Sequence, residues 1–178
     1  MYWTEHVYDA LGRTIEVKQP KNSGSTTYSF AGPTVTVTDA KGKWKKYEND
    51  ALGNLVKVNE PRPGGGSDYV TDYTYSELGE LLTVSMSRPG IAGNPSTVTQ
   101  TRTWVYDGTT RRLTSVTHPE SGTTSFAYNA DGSLQRKTDA KGQKHDHYYD
   151  ADGRLIEVRK LNASSVEDTC QRVNYYYG

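Results

Sequence analysis

One short pattern recurs along the chain and restricts the fold more than any other feature: an aromatic residue or Asn, three variable residues, Gly, then a run of β-prone residues. It reads Tyr8-Asp9-Ala10-Leu11-Gly12-Arg13, and returns at Tyr28 to Gly32, Asn49 to Leu55 (with Gly53) and Tyr75 to Leu81 (with Gly79). Further copies run from Tyr128 to Leu134 (with Gly132) and from Tyr149 through Asp150, Gly153 and Arg154 to Leu155. A variant from Tyr106 to Leu113 carries one extra residue, and Tyr177-Gly178 reads as the start of another copy. The commonest spacing is about 21 residues, with longer steps where segments are inserted.

Each unit holds a second turn signal. Thr38-Asp39-Ala40-Lys41-Gly42 and Thr138-Asp139-Ala140-Lys141-Gly142 match residue for residue, and Thr117 to Gly122 is a looser copy. A unit therefore reads strand, turn, strand, turn. The strands are rich in Thr, Val and Tyr, which fit a pleated surface. The turns are rich in Asp, Asn, Ala, Gly and Pro. Asp150-Ala151-Asp152-Gly153 suits a type I turn closed by a Gly with positive φ, often with a bulge. No helix is expected: Ser76 to Leu82 has helix formers, but the aligned units overrule them. Segments 19–26, 61–68, 88–97 and 161–171 read as loop insertions. The repeat continues across each, so residues 1–178 are expected to form one array of seven to eight hairpins, with 14 to 16 strands.

Composition narrows the function classes. Lys and Arg total 21, as do Asp and Glu. A zero net charge argues against a dedicated nucleic-acid or anionic-membrane binder. Leu, Ile, Val and Phe are only 29 of 178 residues, but 14 Tyr and 3 Trp can supply the missing buried area. No apolar run approaches a membrane span or a signal h-region. A single cysteine, Cys170, excludes an intrachain disulfide.

The Tyr-Asp-x-x-Gly-Arg element on this period resembles the YD repeat of the RHS family, from about Tyr8 to the C-terminus. Tyr8-Asp9 to Arg13 and Tyr149-Asp150 to Arg154-Leu155 are the closest copies. The family includes bacterial RHS proteins, shell subunits of insecticidal ABC toxin complexes, and teneurins. The resemblance implies an all-β fold: tandem hairpins in a long, curved, spiralling antiparallel sheet, an open strip of an RHS-type shell. It implies a structural, non-catalytic role with no cofactor, secreted or at the cell surface. The implied partners are further YD repeats and an enclosed polypeptide cargo.

Two positions before each anchor lie His6, Thr26, Tyr47, Tyr73, Trp104, Phe126, His147 and Tyr175, on the anchors' own face by alternation. They should form a ladder of rings. Tyr47, Tyr73, Trp104 and Phe126 are the candidate ligand-binding residues of an alternative reading, a carbohydrate-binding or adhesion module. A second apolar series follows the turns, among them Ile15/Val17, Val56/Val58 and Ile156/Val158. A three-residue loop with a Gly bulge pairs Tyr149 with Leu155 and puts this series opposite the aromatics. A four-residue loop pairs Tyr149 with Arg154 and puts both together, because a one-residue slip reverses the face. The bulge is favoured, since it sets Asp150 across from Arg154 and Asp9 from Arg13.

Other chemistry is weaker. His145 and His147 share a face but lack a third convergent metal ligand. Asp150-x-Asp152-Gly153 and Asn129-x-Asp131-Gly132 lack the distal Glu of a calcium loop. No carboxylate pair recurs in a setting suited to a glycosidase, and no nucleophile motif appears. Lys41, Lys43, Lys45 and Lys46 form the densest basic run, split by alternation between two faces, and read as a solvated strand. The two unpaired edges, near Tyr2 to Tyr8 and Arg172 to Tyr177, are expected to favour self-association.

Overall fold

The computed structural model describes residues 3–90 and 96–178. Tyr2, and residues 91–95 of the 88–97 insertion, lie outside the described residues. The chain is all β. Its strands are β1 (Glu5–Tyr8), β2 (Thr14–Lys18), β3 (Ser25–Ala31), β4 (Thr34–Thr38), β5 (Trp44–Asn49), β6 (Leu55–Glu60), β7 (Tyr69–Tyr75) and β8 (Leu81–Arg88). There follow β9 (Val98–Tyr106), β10 (Leu113–His118), β11 (Gly122–Tyr128), β12 (Leu134–Thr138), β13 (Lys144–Tyr149), β14 (Leu155–Leu161) and β15 (Val173–Asn174). Single 3₁₀ turns occupy Pro20–Asn22 and Thr169–Gln171, inside two of the expected insertions. The fifteen strands form one open antiparallel sheet in strict chain order. The chain divides into two units, Met1–Thr101 and Arg102–Gly178, with the boundary inside β9.

In the first unit, register places Phe30, Val35, Tyr47, Val58, Thr71 and Met86 in one row across β3 to β8. The neighbouring row, Ser29, Thr36, Lys46, Asn59, Val70 and Ser87, faces the other way and is mostly polar. In the second unit Trp104, Val116 and Thr124 form a row. On the opposite face of that unit Arg136, Asp146 and Arg159 align across three strands. In each unit one face thus holds the aromatic and most aliphatic residues, and the other is richer in Thr, Ser and charge.

This is a single layer. Among the described residues only Val58 and Val116 are buried apolar side chains. The accessible surface is 11949 Å², whereas a folded monomer of this mass exposes about 8,600 Å². Cross-strand pairs and backbone ladders, more than a core, hold such a sheet.

Two expectations need correction. The Val series does not lie opposite the aromatics: Val17 pairs with His6, Val58 with Tyr47, and Val158 with His147. The loop is the expected one, with Tyr149 opposite Leu155, but Tyr148 then pairs with Glu157 and leaves Ile156 as an extra residue. This second bulge reverses the face again. It recurs at Ile15, Val56, Leu82, Thr114 and Gln135. The unit aligned on Tyr28 is also shifted. Tyr28 lies inside β3 opposite Val37, and Ala31 pairs with Thr34 around a two-residue Gly32-Pro33 loop. Gly32 has φ +59°, as a type II′ turn requires at its first central position.

Candidate functional site

Seven loops share one geometry: residues 10–12, 40–42, 51–53, 77–79, 130–132, 140–142 and 151–153. In each, the first flanking residue donates its N–H to the carbonyl of the last, and the loop Gly donates back to the first, at 2.8–3.1 Å. Those glycines have φ between 75° and 95°. This is a type I turn closed by a Gly bulge. The 163–165 loop repeats it with Ser165 in the Gly place, at φ 64°. The extra residue after Tyr106 gives a four-residue loop, with Arg111 at φ 61°.

The Asp that opens five of these turns, after the anchor or after Thr38 and Thr138, has a physical reason. Oδ1 of Asp9, Asp39, Asp50, Asp139 and Asp150 each accepts two backbone N–H groups, two and four residues on, at 2.8–3.0 Å. The other oxygen takes a side chain: Arg13 Nε on Asp9 at 2.7 Å, Asn54 on Asp50 at 3.0 Å, and Arg154 Nε on Asp150 at 2.8 Å. The Arg13 N–H and guanidinium hold the Asp9 carboxyl below its ordinary range. Arg154 does the same for Asp150, first through its N–H, and the Asn54 amide does so for Asp50. The arginines also reach the next unit. Arg13 lies 4.2 Å from the Phe30 ring centre, Arg112 5.7 Å from Tyr128, and Arg154 5.2 Å from Tyr177.

The anchor tyrosine closes the junction between hairpins. Ladder pairing between β6 and β7 ends at Lys57 and Asp72. Beyond it, Tyr75 Oη donates to the Leu55 carbonyl at 3.0 Å. Tyr128 donates to Leu113 at 2.9 Å, Tyr149 to Leu134 at 3.0 Å, and Tyr177 to Leu155 at 2.7 Å. Each hydroxyl satisfies a carbonyl at the start of a bulged strand, beyond the last ladder pair with the next strand. By the same register, Phe30 holds this place in its unit. The Gly32-Pro33 pair was the signal that could have located it.

The four candidate ligand residues are half-buried within the aromatic face. Tyr47 sits between Val35 and Val58, Tyr73 opposite Val84, and Phe126 opposite Lys137. Burial pushes the Tyr73 hydroxyl pKa up. Trp104 faces Val116 and meets His118 edge-on at 6.3 Å. His145 and His147 lie on the same face, opposite Lys160 and Val158. Asp146 points the other way, where Arg136 donates to it from both Nε and Nη2, the latter at 2.7 Å. Among the described residues no three His, Cys, Asp or Glu side chains converge on one point.

A cleft of 620 Å³ lies in the first unit between the 39–43 turn and the segment after β6. Val37, Tyr47, Pro61 and Pro63 line it with Lys43, Lys45 and Glu60. Lys45 and Glu60 form an ion pair at 2.6 Å.

No family model and no curated protein matches the chain. Solved structures do. The crystal structure of TcdB2-TccC3 without its hypervariable C-terminal region aligns over 92% of this chain with a TM-score of 0.72 at 18% identity. The chain has the RHS/YD-repeat fold. It spans 9% of the length of that TcdB2-TccC3 chain. A Photorhabdus luminescens Tc holotoxin pore aligns over 98% of the YD-repeat chain, with a TM-score of 0.41 and 15% identity.

Proposed function

We propose that this YD-repeat chain is a non-catalytic structural module, one stretch of the wall of an RHS-type β-shell that encloses a toxin or other polypeptide. The observation that carries this reading is a sheet whose aromatic and Val face has no second layer against it among the described residues. The likeness in fold to TcdB2-TccC3 supports it. The mechanism is steric. Ladder bonds, bulged turns and tyrosine bridges stiffen the wall, and the apolar face offers area to a polypeptide held against it. Further repeats extend the wall through its edge strands, and the site of action is outside the cell or at its surface. The glycan alternative rests on Tyr47, Tyr73, Trp104 and Phe126 alone, and no feature of their surroundings adds to it.

Protease protection tests the reading in the protein as its gene encodes it. An enclosed polypeptide should survive trypsin until urea opens the wall. Equal digestion before and after urea would end the proposal.

A further inference from the structure

We propose that the cleft between the 39–43 turn and the 61–64 segment binds a peptide in which an acidic residue neighbours an aromatic one. The proposal rests on the reading that this wall holds polypeptide.

The cleft is a built feature. Even strands pass to the next odd one either through three-residue loops, as at 40–42 and 140–142, or through longer insertions, as between Lys18 and Ser25 and between Leu161 and Val173. After β6 the connection runs from Pro61 to Asp68. Two prolines fix φ there, and Arg62 Nη1 donates to the Gly90 carbonyl at 2.7 Å. The segment is therefore a tethered wall. At 620 Å³ the cleft falls within the range of about 300–1,000 Å³ that side chains and small ligands fill.

Its lining sets the ligand chemistry. Val37 and Tyr47 belong to the aromatic face, and Tyr47 continues into the row of Val35 and Val58. With Pro61 and Pro63 they make an apolar seat for a ring. Among the charged groups, Lys45 and Glu60 neutralise each other. Asp39 spends Oδ1 on the Lys41 and Lys43 N–H groups. Arg62 is held on Gly90. The Lys43 ammonium has no ion-pair partner among the described residues. The lining thus carries three cations against two carboxylates, and Lys43 stands ready for an anion beside the ring seat. Continuity with the uncovered face favours an extended peptide over a free small molecule.

The test is an amide-shift titration of the intact, ¹⁵N-labelled chain. The probes are the capped peptides acetyl-Gly-Phe-Asp-Gly-amide and acetyl-Gly-Phe-Asn-Gly-amide, and free 3-phenylpropionate. The Phe-Asp peptide should shift the amides of residues 42–45 and of Glu60, Arg62 and Gly64, and bind about two- to fivefold tighter than the Phe-Asn peptide, the scale of one exposed ion pair. Lys43→Gln should abolish that difference without changing the urea midpoint. No shifts at millimolar peptide, shifts elsewhere, or an unchanged preference in Lys43→Gln would overturn the proposal. So would 3-phenylpropionate binding as tightly as the peptide. Protease protection without these shifts overturns the cleft alone, and the shifts without protection overturn enclosure alone.

Discussion

The hydroxyl of Tyr149 donates to the backbone carbonyl of Leu134 at 3.0 Å. Leu134 opens β12, and the next residue, Gln135, is the bulged one. At that point β13 no longer pairs with β12, since their register ends at Arg136 and Asp146. A half-buried carbonyl would be left without a partner, and the tyrosine of the following hairpin supplies one. The repeat is thus tied unit to unit by its most recurrent residue.

Tyr149→Phe should therefore cost about 1 kcal/mol, the net worth of one hydrogen bond, with the ring packing retained. Tyr75→Phe should cost a similar amount, and the two should add, because no partner is shared. Urea denaturation followed by Trp fluorescence measures both. A neutral result at both sites would mean that water serves the Leu carbonyls equally well.

Glycine substitutions should separate backbone strain from crowding. At Gly153, φ is 77° and an added Cβ would meet no atom within 4 Å. Gly153→Ala should cost about 1 kcal/mol through the backbone alone. At Gly122, φ is 75° and an added Cβ would lie 2.6 Å from Ala140 Cβ. Gly122→Ala should cost a further 1–3 kcal/mol or so, because the 140–142 turn must move off the start of β11. Equal losses in the two variants would refute the crowding argument.

Acid should destabilise the sheet through its turn carboxylates. Asp9 and Asp150 are held below their ordinary range by the Arg13 and Arg154 N–H groups, and Asp146 by the Arg136 side chain. A depressed folded-state pKa stabilises the fold above the unfolded value of about 3.9. That contribution is lost as pH falls through the lower folded value. The urea midpoint should be flat above this window and fall below it. Asp150→Asn keeps an oxygen acceptor for the two N–H groups but cannot titrate, so it should flatten part of the fall. Asp146→Asn should flatten more of it, since Asp146 is the buried carboxylate of the set. An unchanged acid limb in both variants would show that other groups govern it.

The all-β class and the Asp150–Arg154 pairing were legible because turn glycines such as Gly12, Gly132 and Gly153 stand at a fixed offset from an aromatic. The face was not. The bulged positions hold Ile15, Val56, Leu82, Thr114, Gln135 and Ile156, four of them aliphatic like ordinary strand residues, so nothing marks the bulge and simple alternation runs one residue too far. Tyr28 misled because Gly32 follows it by four residues, as in the other units, while Gly32-Pro33 makes a shorter loop. The tyrosine bridge escaped notice because its acceptor is a backbone atom 15 to 22 residues back. The cleft depends on how Pro61 to Gly64 turns back over β5, which no residue pattern announces.

Association should follow from the edges of the sheet. β1 and β15 each pair on one side only, and unpaired strand edges are templates for another strand. The stretch from Val173 to Tyr177 carries no charge and no Pro, so the usual blunting devices are missing. Tyr176 is 91% exposed, and the aromatic face of each unit adds further uncovered apolar area. A two-fold pairing of like edges is the simplest closed arrangement. Light scattering at tens of micromolar should show a mass above the monomer that falls on dilution. A constant monomeric mass would end the idea. Where a larger mass is seen, Tyr176→Lys separates two routes. Pairing through the β15 edge should weaken, because a new charge would be buried against the partner strand. Packing through the aromatic faces should be unaffected, since an exposed Tyr176 contributes little to them.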